Sequence, residues 1–198
     1  MAKQIQAFLL ICLILIIAVA VAVVDGTTAQ GGPEESVDEW FHKLGRAKEK
    51  VTKLHFYFHD TVGGKSPTAV RVASANTTFT SSLTYFGLVV MFDDPLTAGP
   101  EITSTVLGKA QGFYASTDQN ELGLAMYVNY HFTTGEHKGS TLTLVGRNAV
   151  DQKTREMSIV GGTGVFRLAR GIATAKTYFQ NSANFDAIVE YNLVVVHY

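Results

Sequence analysis

From Lys53 to the C-terminus, apolar and polar positions alternate in short runs, and each run ends in a cluster of Gly, Pro, Asn, Asp or Ser. Alternation with period two marks strands with one buried face, and the intervening clusters supply the backbone conformations that turns need. The pattern predicts strands at 53–60, 68–75, 84–93, 105–116, 122–132, 140–147, 168–179 and 185–197, broken at GGKSP, DDPLTAGPE, TTGEHKG and GGTG. The stretch 146–164, GRNAVDQKTREMSIVGGTG, has no clean period and reads as a loop. Strands with mostly short connections and no internal helix predict an all-β fold, an eight-stranded antiparallel β-barrel, because closure removes the edges that long strands would expose. A two-sheet sandwich is the alternative.

The N-terminal part follows another rule. In 34–50, Val37, Trp40, Phe41 and Leu44 fall on one helical stripe, which predicts a short amphipathic helix weakened by Gly45, or a disordered leader. Before it, Lys3 is followed by an apolar run from Ala7 to Val24 and then by Thr27, Thr28 and Ala29. That is the pattern of a signal peptide over 1–29, with 30–52 as leader and 53–198 as the barrel domain. The run is roughly 18 residues long, so an uncleaved anchor is the alternative, though no basic cluster follows to stop transfer.

Cleavage would remove the one cysteine, Cys12, and leave about 169 residues with no disulfide to hold them, enough chain to bury a core of its own. It would also remove Lys3 and Asp25 together, so the formal net charge stays at −1. No basic stripe is present to bind nucleic acid. Asn76-Thr77-Thr78 is an N-glycosylation sequon, expected on an exposed loop or strand edge.

Several residues could carry chemistry. In LHFYFHD (54–60), Leu54, Phe56, Phe58 and Asp60 share one face; facing inward, Asp60 would end an apolar column as a desolvated carboxylate suited to proton transfer. The competing reading is a surface Asp that opens the turn at DTVGG. Gly108, Ala110, Gly112 and Tyr114 share a face that leaves open space before the tyrosine hydroxyl. Gly171, Ala173, Ala175, Thr177 and Phe179 form a second small-residue face, which favours a cavity in a barrel of this size. Arg155 could face the pocket mouth as a fork of donors or pair with Glu156 on the surface, and Asn148 continues the face of Leu142 and Leu144. There is no HExxH, and His55 and His59 are too far apart to chelate a metal unaided, so no metal site is expected and both read as partly exposed.

Taken in order, FYFHD (56–60), AQGFY (110–114), REMSIVGGTGVFRLARG (155–171) and EYNLVVVHY (190–198) resemble the plant dirigent proteins, over a match that runs from Lys53 to the C-terminus. The resemblance implies a barrel of the allene oxide cyclase/dirigent type, secretion to the plant apoplast, glycosylation, and assembly as a homodimer or homotrimer. It implies no cofactor and no oxidative centre. An external laccase or peroxidase makes phenoxy radicals, and the dirigent protein holds two small phenolic radicals so that coupling gives one stereoisomer, as in lignan-type biosynthesis.

Carried over residue by residue, Asp60 falls on the family's acidic pocket residue, Tyr114 on a pocket tyrosine, Arg155 on the pocket arginine and Phe185 on a lining aromatic. Phe58, Asn148 and Ser116 join them as substrate-binding positions. Lignan-forming members have a second aspartate where this chain has Asn148, a second tyrosine where it has Ser116, and a cysteine pair that is absent here. These departures look like the divergent branch that includes the pterocarpan synthases, which close a ring through a quinone methide. The leading expectation is therefore a stereodirecting auxiliary, with a quinone-methide dehydratase or cyclase, or a non-catalytic phenol-binding barrel, as alternatives.

Overall fold

The computed structural model describes residues 36–76, 78 and 83–198. The expected signal peptide, 1–29, and the start of the leader lie outside the described residues. Among those described, one helix, α1 (Val37–Leu44), precedes nine strands: β1 (Lys50–Asp60), β2 (Ala69–Ala73), β3 (Val89–Thr97), β4 (Val106–Ser116), β5 (Gly123–Phe132), β6 (Thr141–Ala149), β7 (Arg155–Thr163), β8 (Arg170–Gln180) and β9 (Ala187–His197). α1 is half the predicted length and ends before Gly45; Asp38 and Glu39 in its first turn and His42 and Lys43 in its last complement the helix dipole. Its Trp40 ring receives the Arg167 guanidinium at 5.5 Å.

The strands pair antiparallel in the order β1-β9-β8-β7-β6-β5-β4-β3, and β3 returns to β1, so eight strands close the barrel. β2 is a short ninth strand that runs beside the first half of β3, where β1 has already left it. The membership differs from the prediction in two places: the strand expected at 68–75 is β2, outside the closing eight, and an unpredicted strand takes its place. Residues 155–163 form β7, not part of a loop, with Arg155, Met157 and Ile159 buried and Glu156, Ser158 and Val160 exposed. The alternation is regular, but a cation fills one inward position and two glycines follow, so it does not read as apolar-in, polar-out.

β3 is shifted relative to the prediction of 84–93: it begins only at Val89, after turns, and runs on through DDPLT. Its inward face is Val90, Phe92, Asp94 and Leu96, a carboxylate amid apolar side chains. Pro95, which has no N–H to donate, sits near the changeover from β2 to β1. In β4, Gly108 and Gly112 are required by close approach: a Cβ would run into the carbonyls of His131 and Tyr127 on β5.

The barrel is filled at one end. Phe56 packs against Tyr130 at 5.0 Å and Tyr191 at 5.9 Å, while Phe132 and Phe166 close the floor at 5.8 Å. Ala173 and Ala175 are wholly buried there, so these small β8 residues accommodate large aromatics of the core instead of opening a cavity. The alternation on β8 then breaks between Thr177 and Phe179, and the bulge leaves Phe179 exposed, not inward as its spacing predicts.

Candidate functional site

The other end of the barrel, where β1, β4, β6 and β8 finish and β5, β7 and β9 begin, holds a cavity of about 480 Å³. Phe58, Asp60, Tyr114, Ser116, Asn148, Arg155 and Phe185 all line it, so the sequence-predicted residues meet in one place. Apolar side chains of Leu88, Val90, Leu124, Met126 and Val189 make up much of the rest.

Asp60 is the last residue of β1 and points inward, not into a surface turn. Tyr114 donates its hydroxyl to Asp60 Oδ2 at 3.1 Å, while Asp60 Oδ1 is out of solvent with no partner among the described residues. Burial raises the Asp60 pKa to about 7; the tyrosine bond opposes the rise, and the charge of Asp186 adds to it. Burial and the neighbouring carboxylate push the Tyr114 hydroxyl well above its ordinary value, so it stays a proton donor. The Tyr114 ring stacks on Phe92 at 5.9 Å, which fixes its direction.

A cation faces the cavity from β7. Arg155 is buried, donating from Nε to Asn148 Oδ1 at 3.1 Å and from Nη1 to Thr177 Oγ1 at 2.8 Å. It does not pair with Glu156, which points outward. Among the described residues it has no carboxylate partner, and its hydrogen bonds there run from Nε and Nη1 alone, the latter also reaching the Gln152 carbonyl at 3.4 Å. Desolvation lowers its pKa from a value so high that the charge is retained. Because Asn148 is neutral, it orients the guanidinium without neutralising it. Ser116 lines the cavity, but its hydroxyl is committed to the Thr84 carbonyl, holding the 84–88 segment against β4.

The rim is built from loops. Asp186 Oδ1 accepts from the amides of Val62 and Gly63 at 2.8 and 2.9 Å, tying the loop after β1 to the loop before β9. Glycine suits residue 63 at this approach, since a Cβ would lie 2.9 Å from Asn184 Cβ. Tyr85 and Phe185 both have positive φ, 55° and 65°, and their rings meet edge to face at 5.4 Å. Non-glycine residues held there cost about 1–3 kcal/mol each and tend to occur at ligand clamps.

Sequence reasoning missed Asp94, Tyr85 and Asp186; Thr177, placed on the small-residue face of β8, does line the cavity and holds Arg155. The alternation Val90, Phe92, Asp94, Leu96 was the available signal for Asp94. His59, expected to be partly exposed, is buried and hydrogen-bonded to Thr97 Oγ1 at 2.7 Å, while His55 meets Glu190 on the surface. Asn76 is exposed in a turn, as its sequon requires.

The family model described as "Dirigent-like protein" matches residues 51–196. Dirigent protein 21 of Arabidopsis thaliana is 56% identical over 77% of this chain and 80% of its own length. Pterocarpan synthase 1 of Glycyrrhiza echinata is 53% identical over 78% of this chain and 82% of its own. Among solved structures, one of a pterocarpan synthase dirigent protein superposes with a TM-score of 0.72 at 52% identity, covering 77% of this chain and 87% of that one. The barrel, its pocket and these relatives lead to one conclusion: the chain belongs to the dirigent family.

Proposed function

We propose that the barrel is a stereodirecting chamber for a phenol-derived intermediate. Phenoxy radicals made by a separate laccase or peroxidase couple within it, as in lignan-type biosynthesis, and the quinone methide so formed is closed on one face. The observation that carries this reading is the pair of opposed polar poles across an apolar cavity, Asp60 with Tyr114 on one side and Arg155 held by neutral groups on the other. As a hydroxyl adds to a quinone methide, that hydroxyl loses a proton and the former carbonyl oxygen gains negative charge. Asp60, titrating near neutrality, accepts the proton, and Arg155 donates to the oxygen from a preorganised position.

A second reading is favoured by Asn148 and by the pterocarpan synthases among the relatives. Here a hydroxylated isoflavan enters and Asp60 in its acid form protonates the leaving hydroxyl, which departs as water. The phenol oxygen gives up its own proton to solvent and becomes the quinone methide carbonyl facing Arg155. Ring closure by a second phenol hydroxyl returns a proton to Asp60, and the carbonyl oxygen takes one back from solvent to become a phenol again. The cavity volume suits one such ligand. In either reading the signal pattern supports secretion to the apoplast and the exposed sequon supports glycosylation at Asn76, while assembly as a homodimer or homotrimer rests on the family likeness alone.

One assay separates the readings: chiral analysis of products from phenols plus an oxidase, beside turnover of a hydroxylated isoflavan with no oxidase. Enantiomeric excess only with the oxidase supports coupling, and turnover without it supports cyclisation. Racemic products and no turnover would overturn both. Asp60→Asn should reduce the active reaction by about 100-fold or more; full retention would mean that Asp60 does no proton work, and ligand binding with neither reaction, unchanged in Asp60→Asn, would leave a non-catalytic binding barrel.

A further inference from the structure

The pocket displays one carboxylate, Asp60, yet a second lies behind its wall. The antiparallel register of β1 on β3 pairs Phe58 with Leu96; carried two residues further, it brings Asp60 towards Asp94. The ladder itself ends at the Phe58–Leu96 pair, so the register makes the two carboxyls neighbours on adjoining strands without fixing their separation. Asp94 lies on the inward face of β3, opposite the small Ala110 of β4, and is wholly out of solvent. Neither of its oxygens completes a hydrogen bond of normal geometry, although the Thr68 hydroxyl lies near enough to act on it, and Asp60 Oδ1 is buried and unsatisfied. Buried carboxyls on two adjoining strands, short of donors, call for a shared proton, since neighbouring like charges in a desolvated site resist ionising together.

We propose that Asp94 is the second acid of the site, a positioning residue that shares a proton with Asp60 from behind the pocket wall, so that the pair and not Asp60 alone sets the protonation state presented to the ligand. The inference rests on the quinone-methide reading for its purpose, but not for its geometry. Asp94 takes the part of a second carboxylate that Asn148 cannot play.

The surroundings agree. Burial raises the Asp94 pKa to about 8, and the Asp60 charge adds to the rise. The Thr68 hydroxyl opposes it and the charge of Asp93 supports it. The titratable groups facing the pair are Tyr114 from β4, Asp186 from the loop before β9 and Tyr191 from β9. No basic group contributes to either shift; Lys109 is on the outer face of β4, bound to Asp93. The pair therefore passes through a monoanionic state in the neutral range. When Asp60 gives a proton to the ligand the pair becomes more negative by one charge, and Asp94 keeps its proton opposite the vacated oxygen. When Asp60 takes a proton back, that charge is removed.

The test is carboxyl-carbon NMR titration of the protein labelled at aspartate, for wild type, Asp94→Asn and Asp60→Asn, with no ligand present. Coupling predicts two steps near neutrality in the wild type. It also predicts a single Asp60 step in Asp94→Asn, and an Asp94 midpoint at least half a pH unit lower in Asp60→Asn. An Asp60 titration unchanged by Asp94→Asn, or Asp94 titrating near 4, overturns the proposal even if the barrel proves active. If turnover is found, its pH profile should shift in Asp94→Asn; a uniform loss at every pH would assign Asp94 a merely structural role. Should Asp94→Asn fail to fold, the Asp60→Asn titration decides alone.

Discussion

The two ends of the barrel are built from the same strands and treat their interior in opposite ways. At one end Phe56, Tyr130, Phe132 and Phe166 interlock, and small residues such as Ala173 and Ala175 face them. At the other, polar groups stand on the wall around a cavity, two rim aromatics adopt unfavourable backbone angles, and buried carboxylate oxygens are short of donors. The filled end lowers the energy of the fold, and the open end raises it. Stability drawn from one half of a closed sheet lets the other half hold groups in states they would not adopt in water.

This division is tested most severely by truncating the filled end. Phe56→Ala should cost about 3–5 kcal/mol, read from the chemical denaturation midpoint. A loss below about 1 kcal/mol would mean that the packing there contributes little.

The open end should show itself through pH. The unfolded chain releases the protons of Asp60 and Asp94 near 3.8, whereas the folded chain retains them to about 7 and about 8. Between those limits the folded state binds more protons, so stability falls as pH rises from about 4 and levels off above about 8. The limiting slope is about 1.4 kcal/mol per pH unit per group, approached more closely by Asp94 than by the partly exposed Asp60. Denaturation midpoints that rise across this range would contradict both shifts.

The smallest of these effects is also the most local. Asn148→Asp gives Arg155 a carboxylate partner where it now has a neutral one. Binding of a nitrophenolate probe, followed by calorimetry, should weaken by about tenfold with little change in stability. Unchanged affinity would show that the cation does not hold the phenolate.

Much of this was legible in the sequence, and the failures share a cause. Strands with apolar inward faces showed themselves by alternation. β7 did not, because Arg155 occupies an inward position, and the end of β3 did not, because Asp94 and Pro95 sit in a string of turn-forming residues. A polar group placed inside for function looks, along the chain, like a place where the strand stops. Asp60 was ambiguous for the same reason: an Asp before Gly-Gly suits an Asx turn as well as a pocket, and only the family resemblance separated the two. The rim aromatics could not be read, since nothing in Tyr85 or Phe185 announces a positive φ.

The changeover at β1 and β2 has a consequence for how such a barrel diversifies. One stave of the wall is split, its two pieces joined by residues 61–68, and closure depends on the β1–β3 and β2–β3 ladders on either side of the split. A stave of this kind can gain or lose residues at the split while the sheet stays closed and Asp60 keeps its place. The lip of the vessel can therefore be recut for a differently shaped guest without recasting its floor.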